Sequence, residues 1–232
     1  MSNYNNYPKG SEWRKWDLHV HAPTKFTCAK KDEYNGSGLT EKQELYIEEL
    51  KGIENVAVIG ITDYFSLDAY KLVAPYKDSL NFNLILPNIE MRISPVTGDN
   101  RKINFHIIPN MEVLSIDDVE RFLYKFEFGS DNLTCREGDL IKLGKSIDPQ
   151  LSNGKAFKKG LDEFHISYEA FFRKFNEQSD TLRKNILIGV SNNSGDGASG
   201  IKDLQGIRNV IYQGVDFIFL FAFENCLQNP AM

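Results

Sequence analysis

The chain has 232 residues and a mass of 26.5 kDa, a size that suits one large domain rather than several domains on long linkers. Hydrophobic residues make up 41% of the chain, aromatic residues 12% and charged residues 25%, which excludes disordered, collagen-like and coiled-coil proteins. The 27 lysines and arginines against 32 acids leave a net charge of −5, so a broad basic surface for nucleic acid is excluded and any such contact must be local.

Short apolar runs alternate with longer amphipathic stretches along the chain, a pattern that predicts βα units. The predicted strands are 16–20, 56–62, 84–93, 103–108, 186–190 and 217–221. The predicted helices begin near Thr40, Ser66, Ser115, Ser167 and Gly200, where Thr40 and Ser115 stand in capping-box patterns.

The segment 128–160 is rich in Gly, Asp, Ser and Lys and has no clear periodicity. It predicts a flexible insertion inside a single domain that spans 1–232.

The cysteines and the apolar stretches of the sequence indicate the cellular compartment in which the protein is expected. Cys28, Cys135 and Cys226 are widely spaced, so neither a disulfide framework nor a thiolate zinc site is expected. No signal peptide is recognisable, and the most apolar stretch, 215–223, is far shorter than the roughly 20 residues that span a bilayer. These features predict a soluble, cytoplasmic protein without a membrane partner.

Two histidines on the first predicted strand give the most informative pattern. Side chains alternate along a strand, so His19 and His21 project to the same side and can ligate one divalent ion. Taken alone, the pair fits equally well two histidines that are satisfied by local hydrogen bonds.

Other metal-competent residues recur on later predicted strands, namely Asp63, Glu90 and His106. In parallel α/β barrels the carboxyl ends of the strands share one face, so these residues are expected to converge with the two histidines. A metal centre would also offset the cost of burying carboxylates and imidazoles.

The order of these motifs resembles that of the PHP (polymerase and histidinol phosphatase) superfamily of metal-dependent phosphoesterases: His19-Val20-His21, Ile61-Thr62-Asp63, Glu90 and His106. Segments 7–23, 60–65 and 86–90 look more narrowly like the N-terminal PHP region of TrlF-type proteins, which precedes an ABC/SMC-like ATPase. The resemblance is densest up to His106 and returns at 190–200.

The resemblance implies a distorted (β/α)7-like barrel that holds one to three divalent ions of manganese, zinc or iron. It implies that His19 and His21 are metal ligands with a catalytic role, that Glu90 bridges ions and that His106 is a further ligand. Asp63 is expected either to ligate metal or to orient the attacking water as a general base.

Two departures from the family pattern leave alternatives open. Tyr64 stands where the second motif has a ligand histidine, and the late Asp-x-His motif is missing. Either the chain is a truncated portion whose barrel is incomplete at the C-terminus, or the metal site is reduced.

Three further residues are candidates for phosphate binding. Asn192 and Asp196 lie in a glycine-rich segment between a predicted strand and a predicted helix, where backbone amides can cradle phosphate. Arg92, just after Glu90, is placed to neutralise a phosphate oxygen, although an exposed strand-end arginine is the simpler interpretation.

The favoured hypothesis is a hydrolase in which metal-activated water attacks a phosphoester, first of all a nuclease acting on DNA or RNA. The alternative is a degenerate barrel that serves as a docking or regulatory module for an ABC/SMC-like ATPase, in cis or in trans. A phosphatase for small phosphoesters would keep the same site and differ only in its pocket.

Overall fold

A computed structural model describes residues 14–31, 38–94, 102–191 and 218–221. The strands are β1 (Lys15–His21), β2 (Val56–Tyr64), β3 (Leu84–Ser94), β4 (Ile103–Pro109), β5 (Ile166–Ser167), β6 (Ile186–Ser191) and β7 (Ile218–Phe221). The helices are α1 (Lys25–Lys30), α2 (Leu39–Lys51), α3 (Asp68–Val73), α4 (Ile116–Leu123), α5 (Glu137–Ile147), α6 (Asn153–Glu163), α7 (Tyr168–Asn176) and α8 (Asp180–Lys184), with a 3-10 helix at Ala74–Ser79. All six predicted strands are confirmed.

The strands form one mixed sheet in the order β1-β2-β3-β4-β6-β7, and β5 pairs with β3. The pairs β1–β2, β2–β3 and β6–β7 are parallel, whereas β4 runs antiparallel to both of its neighbours. This reversal has a simple cause, since only 95–102 separate β3 from β4 and a parallel crossover needs a dozen residues or more. The α/β class is thus confirmed, but within the described ranges β1 and β7 are open edges and the sheet does not close into a barrel.

One face of the sheet carries the main hydrophobic core. Ile89 and Met91 from β3 and Phe105 from β4 are fully buried with Phe122 of α4 and Phe171 of α7. The rings of Phe105 and Phe171 meet edge to face with their centroids 5.4 Å apart. Since side chains alternate along a strand, the residues between these positions belong to the opposite face.

The structure corrects the prediction of a flexible insertion over 128–160, because this segment contains α5 and most of α6. The two helices cross closely at glycines: a Cβ at Gly144 would lie 1.9 Å from the Ala156 main-chain oxygen, and one at Gly160 would lie 1.9 Å from that of Leu140. Glycine therefore serves close helix packing here, although in a sequence it indicates a loop.

The predicted helix starts have mixed outcomes. Ser115 and Ser167 are N-caps, and Ser115 forms the expected capping box with Asp118. The capping box predicted at Thr40 is wrong, because α2 begins at Leu39 after Gly38, whose φ is +101°. The start predicted at Gly200 lies outside the described residues. No helix in the described ranges has the length and apolar character needed to cross a membrane.

Candidate metal centre

The candidate site occupies the face of the sheet opposite the main core, near the carboxyl ends of β1, β2 and β3. Register places Tyr64 of β2 beside Glu90 of β3, and Glu90 beside His106 of β4. Polar residues of this face stand at every second position of their strands: His19, His21, Thr62, Tyr64, Asn88, Glu90, Arg92, Asn104 and His106.

His19, His21 and Glu90 bring three donor atoms together, and we call them the ligand triad. The Nε2 atoms of the two histidines are 3.1 Å apart. Glu90 Oε2 lies 3.1 Å from His19 Nε2 and 3.3 Å from His21 Nε2. Both imidazoles thus project to the same side of β1, as their spacing predicts, and they meet the carboxylate predicted to join them.

The triad fits a single divalent ion. Ligand atoms held at about 2.0–2.1 Å from an ion are about 3.3 Å apart in a tetrahedral arrangement and about 3.0 Å apart in an octahedral one. The three separations in the triad, 3.1, 3.1 and 3.3 Å, fall in this range. Two imidazoles and one carboxylate are donors that zinc, manganese and iron all accept.

Backbone packing around Leu18 positions the two histidines. Between Asp17 and Val20, strand β1 has one residue more than the part of β2 that pairs with it. This extra residue forms a β-bulge at Leu18 and His19. The Leu18 carbonyl lies against Gly60, where a Cβ would be only 2.4 Å from the Leu18 oxygen. Glycine at position 60 is therefore required for this approach of β1 to β2.

Glu90 is buried and ionised. Burial alone raises the pKa of its carboxyl group, but hydrogen bonds with His19 and His21 and the positive potential of the imidazoles hold that pKa well below its usual range. Its second oxygen, Oε1, accepts a hydrogen bond of 2.7 Å from Asn104 Nδ2. The triad therefore contains a fixed negative charge.

His106 adjoins the triad without belonging to its group of three donor atoms. Its ring centroid is 4.9 Å from that of His19, and burial lowers the pKa of His106 to about 3. Asn88 donates from Nδ2 to the Leu18 carbonyl at 2.5 Å, so its Oδ1 is the atom that accepts from His106 Nδ1 at 3.1 Å. This assigns the proton of the neutral ring to Nδ1 and the lone pair to Nε2.

The structure does not bring Asp63 to the ligand triad. Asp63 precedes Tyr64 on β2, so it projects to the opposite, helix-covered face of the sheet. There Oδ1 accepts hydrogen bonds of 2.9 Å from Thr24 Oγ1 and from the Tyr64 amide, while Oδ2 has no partner among the described residues. Burial raises the pKa of this carboxyl group well above its usual value. The predicted ligand or base role of Asp63 is thus not supported by its position.

Tyr64 covers His21. The two rings stack with centroids 4.7 Å apart and planes inclined by 27°. Burial, together with the nearby Glu90 carboxylate, raises the pKa of the phenol, so Tyr64 is neutral at physiological pH. A neutral ring, not a further metal-ligating group, therefore stacks on His21.

The predicted phosphate-binding residues separate into two groups. Arg92 lies on the triad's face of β3, and its Nη1 donates to the main-chain oxygen of Asp162 at 3.1 Å. Asn192 and Asp196 lie outside the described residues.

Sequence reasoning missed two supporting amides, Asn88 and Asn104. Asn88 holds His106, and Asn104 holds Glu90. Both could have been found from the alternation of polar and apolar residues along the strands. Each asparagine stands two residues before a predicted ligand, so its side chain projects to the same face as that ligand.

Comparison with known proteins does not extend these findings: no protein-family model and no curated protein matches the chain.

Proposed function

We propose that the protein is a metal-dependent phosphoesterase of the PHP type that acts on nucleic acid. The observation that carries the proposal is the convergence of His19 Nε2, His21 Nε2 and Glu90 Oε2 within 3.3 Å of one another. Donors from two strands that are distant in sequence meet there on one polar face. The barrel expected for this family remains part of the proposal.

The residues of the chain have distinct tasks in this proposal. His19, His21 and Glu90 hold a manganese, zinc or iron ion, and the ionised Glu90 offsets part of its charge. Such an ion neutralises charge on a phosphate and lowers the pKa of bound water towards neutrality. Asn104 and Asn88 fix the orientation of Glu90 and His106, which limits the reorganisation that binding requires. Asp63 has no task in this proposal because it lies on the other face.

Metal content and hydrolysis of purified variants test the proposal. We expect the wild-type chain, loaded with manganese, zinc or iron and desalted, to retain the ion in mass-spectrometric analysis and to hydrolyse bis(p-nitrophenyl) phosphate. His19→Ala removes one of three donors, so we expect loss of the retained ion and at least a ~100-fold decrease in rate.

His165→Ala is the matched control, since His165 Nδ1 contacts the main-chain oxygen of Glu163 rather than the triad. It is expected to retain both metal and activity. A wild-type chain that retains none of the three ions and hydrolyses nothing would refute the proposal.

One observation favours the second candidate, a docking or regulatory module for an ABC/SMC-like ATPase. Tyr64 stacks on His21 and supplies a poor ligand where a further imidazole is expected. Retention of an ion without any hydrolysis of diesters or oligonucleotides would favour this candidate.

A further inference from the structure

Three cationic side chains gather where the C-terminal end of α6 meets Tyr64, the residue that stacks on His21. Lys30 Nζ stands 5.8 Å from the centroid of the Tyr64 ring. Arg92 Nη1 and Lys102 Nζ both donate to the main-chain oxygen of Asp162, at 3.1 and 3.3 Å. We call Lys30, Arg92 and Lys102 the cationic cluster.

Among the described residues, acids pair with two of the three cations of the cluster. Lys30 pairs with the Asp162 carboxylate, and Lys102 lies 3.8 Å from the Glu163 carboxylate. Among the described residues Arg92 has no carboxylate partner, and its hydrogen bond to the main-chain oxygen of Asp162 uses only one of its five N–H donors.

Lys158 is a further cation close to Lys30. Lys158 Nζ donates to the main-chain oxygen of Lys30 at 2.8 Å. Burial lowers the pKa of Lys30, and the charges of Arg92 and Lys158 lower it further, against the opposing effect of Asp162. A half-buried lysine whose charge is disfavoured by neighbouring cations gains from a bound anion.

Arg92 and the triad share one face of the sheet. Arg92 follows Glu90 by two residues on β3, so their side chains project to the same side. The ring of Tyr64 lies between His21 and Lys30. An extended ligand that reaches Glu90 can therefore also reach Arg92, which lies two residues, or about 7 Å, further along β3.

We propose that the cationic cluster binds a backbone phosphate of a nucleic-acid strand, next to the phosphate that is presented to the ligand triad. The inference rests on the proposed function and narrows it, because it selects a substrate with successive phosphates over a small monoester. A chain with net charge −5 repels a polyanion in general, so a local group of cations is what such a strand requires.

The competing explanation is structural. Asp162 and Glu163 end α6, and cations at the last carbonyl groups of a helix stabilise it without any ligand. The two explanations differ in what happens to binding when a cation is removed.

Fluorescence anisotropy with a labelled single-stranded oligothymidylate, in EDTA and at low salt, separates them. We expect Arg92→Gln and Lys30→Gln each to weaken binding about tenfold, and to reduce the slope of log affinity against log salt by about one. Lys77→Gln, at an exposed position of the 3-10 helix, is the matched control and is expected to bind as the wild type does.

Binding by both cluster variants within twofold of the wild type would overturn the inference and leave only the role at the end of α6. Failure of the wild type to bind would overturn it as well, and so would displacement of the oligonucleotide by inorganic phosphate at equal phosphate concentration. Circular dichroism checks that each variant is folded, and Lys30→Gln decides the matter should Arg92→Gln unfold. Because EDTA removes metal from this assay, its outcome is independent of the metal test of the proposed function.

Discussion

His106 is the residue whose environment most clearly resists protonation. It is 1% exposed, and burial lowers its pKa to about 3, although the Glu90 carboxylate favours the charged ring. The hydrogen bond to Asn88 adds to this preference, because it uses the Nδ1 proton of a neutral imidazole. The ring is thus kept in the form that a metal ligand needs.

This environment predicts an acid-sensitive fold. In the unfolded chain His106 has a pKa near 6.5, so between about pH 6.5 and pH 3 the unfolded state binds a proton that the folded state does not. Stability is therefore lost as pH falls through this window, by about 2 kcal/mol between pH 7 and pH 5. Urea unfolding in EDTA at the two pH values measures it.

His106→Gln supplies the control, since glutamine does not titrate and still offers an N–H to Asn88. Its difference in stability between pH 7 and pH 5 is expected to be smaller than that of the wild type. Equal differences for the two proteins would contradict the assignment of a neutral His106.

The position of Asp63 could not be predicted from the sequence. His19, His21 and Glu90 were predicted as neighbours, because two-residue spacing and strand ends are visible in a sequence. Whether Asp63 or Tyr64 shares their face depends on the register of β2 with β3, which pairs Tyr64 with Glu90. Register is a property of the sheet, so the motif alone could not reveal that Asp63 projects away.

At the scale of elements, the hydrophobic pattern of the sequence was sufficient to predict the strands. It was not sufficient to predict α5 and α6. The strands carry continuous apolar or alternating runs, which are strong signals. In α5 and α6 the decisive residues are Gly144 and Gly160, and their role appears only when the two helices are packed together.

Gly144→Ala is expected to destabilise the fold by about 2–3 kcal/mol, because the new methyl group would overlap the main-chain oxygen of Ala156. The change in free energy of unfolding in urea measures this effect. Gly138→Ala is a control in the same helix, because a Cβ at Gly138 meets no atom within 4 Å.

The control substitution is expected to raise stability by about 0.5–1 kcal/mol through helix propensity alone. A loss at Gly144 no larger than the change at Gly138 would show that the helices separate without cost. It would also remove support for α6 as a fixed carrier of Asp162 beside the cationic cluster.

For the whole molecule, the metal centre links binding to folding. The ligand triad joins β1 to β3, so an ion held there binds the folded state and has no equivalent site in the unfolded chain. The same linkage applies to any of the three candidate ions.

We therefore expect manganese or zinc at 100 times its dissociation constant to stabilise the wild type by about 2.7 kcal/mol, visible as an increase in melting temperature. Glu90→Gln, which removes the negative charge of the triad, is expected to lose most of this increase. Glu112→Gln, at an exposed position, is expected to keep it. An equal increase in all three proteins would place the bound ion elsewhere.

The amide of Asn88 couples two strands that carry the candidate site. It is 1% exposed and fastens the Leu18 carbonyl of β1 and the His106 imidazole of β4 at once. Because Leu18 directly precedes His19, this amide fixes the main chain that carries one donor of the triad. Loss of this single amide would therefore release the main chain before His19 and the ring of His106 together.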